Sequence, residues 1–144
     1  MHTNDKIFVA GHKGLVGSAI VRTLREQGYT NLILASKKDL DLRDEDTTLN
    51  FFKETKPDYV FLAAARCGGI KDNIDHPVQF LEDNLKIQNS VISAAHKVNV
   101  KKLLFLGSAC IYPKECEQPI REDHLLSGYL EPTNDAYAVA KISG

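Results

Sequence analysis

Short apolar runs alternate along the chain with segments whose apolar residues recur at helical spacing. Four runs have the length and uniform hydrophobicity of buried strands: residues 6–10, 32–35, 59–63 and 103–106. Helical spacing follows the first three runs, at residues 15–24, 44–55 and 77–95. Gly28 and Pro57 lie where the first two helices would end, Pro77 suits the first turn of the third, and a final helix is predicted from near Asp135.

Strands that are apolar throughout and separated by helices predict a parallel sheet covered on both faces. We therefore expect one α/β domain over residues 1–144, with a Rossmann-like, doubly wound parallel sheet and helices on both faces. Residues 113–132 are rich in charge, proline and glycine and are predicted as loop. The last helix stops three residues after Lys141, so we expect that the domain is truncated.

Composition narrows the functional classes. The formal charge of −1 offers no broad attraction for nucleic acid or an anionic membrane, and no apolar run is long enough to span a bilayer. Three cysteines are too few for a secreted disulfide framework, and histidine and cysteine spacing matches no metal-ligand set. We therefore expect a cytoplasmic protein with no metal, no nucleic acid and no membrane as partners.

Three glycines lie between the first strand and the first helix. Gly11 permits a tight turn, while Gly14 and Gly17 allow close approach of a pyrophosphate and close helix–strand packing. The helix N-terminus adds free N–H groups and a partial positive charge. This GxxGxxG segment is predicted to bind a dinucleotide through Gly11, His12, Lys13, Gly14, Leu15, Val16 and Gly17.

The end of the second predicted strand bears on the choice of dinucleotide. An NAD-preferring domain places an acid there to bind the ribose 2′-hydroxyl, but residues 35–38 (ASKK) contain none. A carboxylate would repel a 2′-phosphate, whereas Lys13, Lys37 and Lys38 would attract it. The cofactor predicted from this pattern is NADP(H).

A tyrosine and a lysine lie four residues apart on the final predicted helix. Tyr137 is a slow proton donor at neutral pH, and a cation such as Lys141 would lower its pKa and could also bind a ribose. Ser108 follows the fourth strand, at the sheet edge where α/β proteins bind ligands, and could donate to a carbonyl or its oxyanion. Together these residues predict catalysis of carbonyl reduction.

These features resemble the extended short-chain dehydrogenase/reductases. Within that family, several stretches are similar to GDP-L-fucose synthases: residues 11–20 (GHKGLVGSAI), 62–65 (LAAA), 68–70 (GGI), 103–108 (LLFLGS), 110–114 (CIYPK), 131–134 (EPTN) and 137–141 (YAVAK). The similarity runs from Lys6 to Gly144 without a large gap.

The resemblance implies NADPH-dependent 3,5-epimerisation and 4-reduction of a GDP-sugar, GDP-4-keto-6-deoxy-D-mannose, to GDP-L-fucose. It implies that Ser108 and Tyr137 stabilise the C4 oxyanion, that Tyr137 supplies a proton and that Lys141 holds the nicotinamide ribose. It alone assigns Cys110 to epimerisation, paired with a histidine that none of the five histidines of this chain matches.

The resemblance also implies further cofactor contacts. The adenosine end would lie against Lys37, Lys38, Asp39, Leu40, Asp41 and Leu42. The nicotinamide side would lie against Ala63, Ala64, Ala65, Leu106, Gly107, Ser108 and Ala109. Relatives are commonly homodimers. Their remaining strands and substrate domain would lie beyond Gly144, and we therefore expect little or no synthase activity from these residues alone.

Two alternatives remain open. A nucleotide-sugar 4-epimerase or 4,6-dehydratase of the same family would often carry the second-strand acid, which argues against it here, as does the CIYPK stretch. A non-catalytic dinucleotide-binding fragment is favoured by the truncation but opposed by the presence of Ser108, Tyr137 and Lys141.

Overall fold

The computed structural model describes residues 1–144 and contains four parallel strands. The strands are β1 (Ile7–Ala10), β2 (Leu32–Ile33), β3 (Tyr59–Leu62) and β4 (Lys102–Phe105), and the sheet order is β2-β1-β3-β4. Ile7 pairs with Leu32 on one side and with Tyr59 on the other, and Tyr59 pairs with Lys102. The predicted parallel sheet is confirmed.

Five α-helices connect and follow the strands. They are α1 (Leu15–Glu26), α2 (Glu45–Thr55), α3 (Ile70–Asp75), α4 (Pro77–Lys97) and α5 (Asp135–Ser143). Pro77 opens α4 as predicted, and Asp44 caps α2 by accepting a hydrogen bond from the Thr47 amide at 2.8 Å. None of these helices is both long and apolar enough to cross a membrane.

Alternate residues of β1 pack on opposite faces of the sheet. Phe8 and Ala10 join the core that contains Phe52 of α2 and Val91 of α4. The other face of β1 packs against α1 through a second cluster, which consists of Ile7, Val9, Val21 and Leu24. Because β1 buries both of its faces beneath helices, the sheet is doubly wound as predicted.

The chain divides into two compact units. The first comprises residues 1–65 and 86–106, and the second comprises residues 66–85 and 107–144. The first unit contains the sheet and the glycine segment, while the second contains α3, α5 and the residues of the predicted loop. That residues 1–144 form one NADP-binding Rossmann domain stays a prediction.

Several local elements differ from those predicted. Helix α3 was not predicted, because it follows two glycines and is only six residues long. The Asn73 amide donates to the carbonyls of Gly68 and Gly69 at 3.2 and 3.0 Å and so fastens α3 to the chain before it. The predicted loop contains a 3₁₀ helix, Glu122–His124, and another, Ala109–Ile111, precedes it. Strand β2 is only two residues long instead of four.

Candidate functional site

The glycine segment of the first unit forms a tight turn between β1 and α1. Gly11 has a φ of +83°, in the left-handed region that favours glycine, and its carbonyl accepts the Gly14 amide at 2.9 Å. The Ser18 amide donates to the Gly14 carbonyl at 2.9 Å, which begins the helical ladder. The turn therefore brings the chain from the end of β1 directly into the N-terminus of α1.

Close backbone approach explains two of the three glycines. A Cβ at Gly11 would lie 2.7 Å from the Ala64 nitrogen, and one at Gly17 would lie 2.1 Å from the Gly11 oxygen. A Cβ at Gly14 would lie 3.3 Å from the same oxygen, which is only slightly tight. Gly11 and Gly17 thus allow the turn to pack directly against neighbouring backbone, which sets the shape of the segment that would receive a pyrophosphate.

The N-terminus of α1 is suited to an anion. Gly14 is its N-cap and provides no side-chain hydrogen bond, and the first turn contains no acid. The first N–H groups of a helix lack intrahelical acceptors and carry partial positive charge. The Lys13, Leu15 and Val16 side chains are exposed, and His12 Nδ1 is buried without a hydrogen-bond partner. This cradle fits the phosphates of a dinucleotide.

The turn after β2 contains an acid, Asp39, which follows directly on positions 35–38. In the β1–β2 register the carboxyl ends of the two strands are neighbours, so this turn lies beside the glycine segment. The Asp39 carboxylate accepts the Ser36 hydroxyl at 2.5 Å and the Ser36 amide at 3.1 Å. These bonds are the main cause that lowers the Asp39 pKa, and Lys13 and His12 lower it further. An acid therefore follows β2 one residue beyond positions 35–38, with its carboxylate bonded to Ser36.

Residues 37–42 divide between solvent and core. Lys37, Lys38 and Asp39 are exposed, whereas the Leu40 and Leu42 side chains belong to the core. A ligand would therefore meet the side chains of the first three. Asp41 pairs with Arg43 at 2.6 Å, and hydrogen bonds from that guanidinium lower the pKa of Asp41 to about 2.

The ends of β3 and β4 continue the same sheet edge. The Ala63 amide donates to the Ala10 carbonyl at 3.0 Å, and the Leu106 amide donates to the Leu62 carbonyl at 3.3 Å. Ala63, Ala64, Ala65 and Leu106 are each partly exposed. The first unit therefore places these four predicted residues at the carboxyl edge of its strands, where open α/β sheets bind ligands.

The second unit contains the four predicted catalytic residues. Tyr137 and Lys141 lie one turn apart on α5, and the Lys141 ammonium is 5.9 Å from the centre of the Tyr137 ring. Lys141 is 6% exposed, and this burial lowers the pKa of its ammonium. The predicted proximity of phenol and ammonium is therefore present.

The direction of the Tyr137 pKa differs from the prediction. Burial is the main cause that raises the pKa of the phenol, and the Cys67 thiol, 3.7 Å from its oxygen, raises it further. Ser108 acts in the opposite direction through a hydrogen bond. The Phe80 ring packs edge-on against Tyr137, with centroids 6.3 Å apart. The expected lowering by Lys141 is wrong, because Lys141 is not among the groups that shift this pKa, and desolvation and the sulfur neighbour favour the neutral phenol.

Ser108 and Cys110 are held by short local contacts. Ser108 caps the 3₁₀ helix Ala109–Ile111 by accepting the Cys110 amide at 3.2 Å. The Asn134 side-chain amide donates to the Cys110 sulfur at 3.2 Å, and Asn134 is also the N-cap residue of α5. Cys110 is therefore positioned by the residue that begins the Tyr137 helix. Of the remaining predicted residues, Gly107 and Ala109 are exposed beside Ser108.

Two residues outside the predicted set are important around Tyr137: Cys67 contacts its hydroxyl, and Asn84 holds the backbone next to Cys67. Asn84 accepts the Arg66 amide at 2.9 Å and donates to the Arg66 carbonyl at 3.0 Å, which fixes the backbone immediately before Cys67. The Arg66 guanidinium lies 5.1 Å from the centre of the Phe80 ring. Sequence reasoning missed Cys67 and Asn84, since neither belongs to a recognisable motif and both act through partners distant along the chain.

Comparison with known proteins agrees with this geometry. The chain matches the model of the NAD dependent epimerase/dehydratase family over residues 7–144. It is 58% identical over 144 residues to a protein of Arabidopsis thaliana named putative GDP-L-fucose synthase 2, covering 100% of this chain and 44% of that protein. It is 48% identical over 142 residues to the GDP-L-fucose synthase of Escherichia coli strain K12, covering 99% of this chain and 44% of that protein.

Among solved structures, the chain resembles a GDP-D-glycero-L-gluco-heptose synthase from Campylobacter jejuni, determined in the presence of NADPH. The TM-score is 0.96 at 43% identity, over 99% of this chain and 42% of that one. The likeness to GDP-L-fucose synthases drawn from the motifs is confirmed. The chain spans about 44% of the length of the curated relatives it matches.

Proposed function

Because the chain belongs to the NAD dependent epimerase/dehydratase family, we propose that it supplies the cofactor-binding and proton-transfer residues of a GDP-L-fucose synthase. The reaction is NADPH-dependent 3,5-epimerisation and 4-reduction of GDP-4-keto-6-deoxy-D-mannose. One observation carries the proposal: Tyr137, Lys141 and Ser108 are gathered in one unit, as carbonyl reduction requires. The 58% and 48% identities to GDP-L-fucose synthases support this substrate over others of the family.

The residues of the first unit would hold the cofactor. The backbone cradle at Gly11–Gly17 accommodates a pyrophosphate, and the exposed ammonium groups of Lys13 and Lys37 favour a 2′-phosphate. NADPH, when bound, supplies the hydride for the reduction. The relative of known structure determined in the presence of NADPH supports this cofactor.

The residues of the second unit would handle protons and developing charge. The Tyr137 phenol is protonated at neutral pH, and because its raised pKa makes it a weaker acid, it would donate to the C4 oxygen only as negative charge develops there. The Ser108 hydroxyl donates to the same oxygen as negative charge develops there. The Lys141 ammonium on the same helix face favours that charge and binds the ribose hydroxyls. Cys110, oriented by Asn134, is the acid or base of epimerisation.

The first test is a titration of the chain with NADPH and with NADH, followed by nicotinamide fluorescence. We expect tighter binding of NADPH, and a loss of that preference in the double variant Lys13→Ala/Lys37→Ala. The matched control, Lys53→Ala/Lys102→Ala, removes the same charge from exposed positions outside the proposed site. Preference for NADH would contradict the cofactor assignment and favour a 4-epimerase or 4,6-dehydratase.

The second test concerns the reaction. The protein that carries these residues should convert GDP-4-keto-6-deoxy-D-mannose to GDP-L-fucose with NADPH, and Tyr137→Phe should abolish reduction without abolishing NADPH binding. Dinucleotide binding without turnover by that protein would favour the non-catalytic alternative. Turnover of a GDP-4-keto-heptose but not of the deoxymannose would instead place the substrate with the heptose-forming relative.

We further propose that the protein is a homodimer and acts in the cytoplasm. Both proposals follow from the likeness to GDP-L-fucose synthases. Light scattering after size exclusion would test the first, and a protein of monomer mass at micromolar concentration would refute it. Cell fractionation would test the second.

A further inference from the structure

A cysteine and a histidine outside the proposed site contact each other in the segment after β4. The Cys116 sulfur lies 3.2 Å from Nδ1 of His124, within the second unit. The His124 side chain is only 15% exposed, and Cys116 is half-buried. Neither residue belongs to the set that binds the cofactor or transfers protons to substrate. The proposed function therefore does not account for this contact between thiol and imidazole.

The hydrogen bonds around His124 indicate which ring nitrogen carries the proton. The Arg121 backbone amide points at Nδ1 over 3.4 Å, and a backbone amide can only donate. Nδ1 is therefore the acceptor, and the proton of a neutral ring lies on Nε2. It follows that the Cys116 thiol donates to Nδ1. The imidazole is thus oriented as a base toward the sulfur.

Local contacts hold this orientation. The His124 backbone amide donates to the Arg121 carbonyl at 3.1 Å across the 3₁₀ helix Glu122–His124, and the Ser127 hydroxyl donates to the His124 carbonyl at 2.7 Å. The Asp123 carboxylate lies 3.9 Å from Nε2, on the side of the ring opposite the sulfur. At this distance the carboxylate does not hydrogen-bond the ring, so the nucleophile and the base are the pair in direct contact.

Two charged groups face the imidazole besides the thiol. These are Asp123 and Arg121, and the Arg121 guanidinium donates to the Asp123 carboxylate at 3.0 and 3.1 Å. Because the His124 side chain is mostly shielded from solvent, water weakens its contact with the sulfur less than it would weaken an exposed contact.

We propose that Cys116 is a thiol-modification site that forms mixed disulfides with small disulfides, with His124 accepting the thiol proton. The Cys116 proton passes to Nδ1 as the sulfur attacks one sulfur of RSSR. A new S–S bond joins Cys116 to RS, the original S–S bond breaks, and the departing thiolate takes up the proton. The small disulfide is the oxidant, since one of its sulfurs leaves as thiol.

The test uses 5,5′-dithiobis(2-nitrobenzoate), an aromatic disulfide whose released thiolate is coloured. The double variant Cys67→Ser/Cys110→Ser leaves Cys116 as the sole thiol of the chain. In that background, we expect His124→Asn to slow the release of colour about tenfold, because the base next to sulfur is lost. The matched control, His96→Asn, changes an exposed histidine of α4 and should leave the rate unchanged.

The pH dependence separates a base from a structural role. The parent should react faster than His124→Asn toward lower pH, because only the parent has a base beside the sulfur to take the thiol proton. Circular dichroism confirms that each variant is folded, and His124→Gln replaces His124→Asn if the latter is not. Equal rates and equal pH profiles in the folded variant and its parent would overturn the proposal. So would a rate for Cys116 no faster than that of the chain unfolded in urea at pH 7.

Discussion

A single methyl group at Gly17 should disrupt the dinucleotide cradle. In Gly17→Ala, the new Cβ would lie 2.1 Å from the Gly11 oxygen and 2.7 Å from the Gly11 carbonyl carbon. Ordinary van der Waals contact begins near 3.4 Å, so the Gly11 peptide has to move by about 1.3 Å. Both contacts are backbone atoms, which cannot turn aside as a flexible side chain can.

Two opposing effects determine the stability of this variant. Alanine has a higher helix propensity than glycine by about 1 kcal/mol, which favours the substitution. Overpacking a buried position costs about 1–3 kcal/mol, and Gly17 is buried against backbone that is itself constrained by the turn at Gly11. We expect the steric cost to win, with a net loss of up to about 2 kcal/mol in the free energy of unfolding.

The effect on binding should be larger than the effect on stability. A displacement of about 1 Å disturbs backbone N–H bonds to the phosphates, and a hydrogen bond to a charged group is worth about 1.5–3 kcal/mol. We expect NADPH affinity to fall at least about tenfold in Gly17→Ala, since about 1.4 kcal/mol corresponds to tenfold. Nicotinamide fluorescence gives the affinity, and urea denaturation gives the free energy of unfolding.

Gly69→Ala is the matched control, since its Cβ would have no atom within 4 Å and Gly69 lies outside the glycine segment. It should bind NADPH within about threefold of the parent chain, because surface substitutions away from a site change little. A folded Gly17→Ala protein with unchanged affinity and an unchanged urea midpoint would refute the steric argument. An equal loss in both variants would show that the loss does not come from the contact with Gly11.

Three other predictions follow from burial and charge. Phe52→Ala removes a ring that is 0% exposed and should lower the free energy of unfolding, measured by urea denaturation, by about 3–5 kcal/mol. Leu15→Ala, at a position 91% exposed, should change this free energy little. Similar losses in the two variants would contradict the core assignment. The pKa of Asp41 is lowered from 3.8 to about 2 by Arg43, so its stabilising contribution is complete above about pH 4 and is lost as pH falls through about 2. Asp41→Asn should therefore lower the urea midpoint at pH 7 but not at pH 2, and an equal change at both would refute the pairing. Asp39→Asn removes a negative charge beside the proposed 2′-phosphate region. It should tighten NADPH binding about twofold to fivefold at low salt, with little effect on NADH binding. No change in the ratio of the two affinities would show that Asp39 lies outside the site.

The backbone elements that position the site were predictable because their signals are local. Uniform apolar runs correspond to β1, β3 and β4 within about one residue, and Asp44 and Pro77 mark helix starts by their own capping and dihedral preferences. The glycine triplet was informative for the same reason, since a left-handed φ and a close approach exclude side chains at particular positions. Helix α3 was missed because polar contacts from Asn73, not apolar periodicity, hold it.

The chemistry around the named residues depended on partners remote in sequence. Spacing alone put Tyr137 and Lys141 on one helix face, but burial and Cys67, 70 positions away, set the direction of the Tyr137 pKa. The environment of the Asp39 carboxylate also depends on folding, because the turn after β2 brings it into hydrogen bonds with Ser36. Strand and helix signals are carried by neighbours along the chain, whereas protonation is governed by desolvation and by groups that folding assembles from separate segments. The order of elements and the identity of the motif residues could therefore be predicted from the amino-acid sequence, and the electrostatic state of those residues emerged only from their packing.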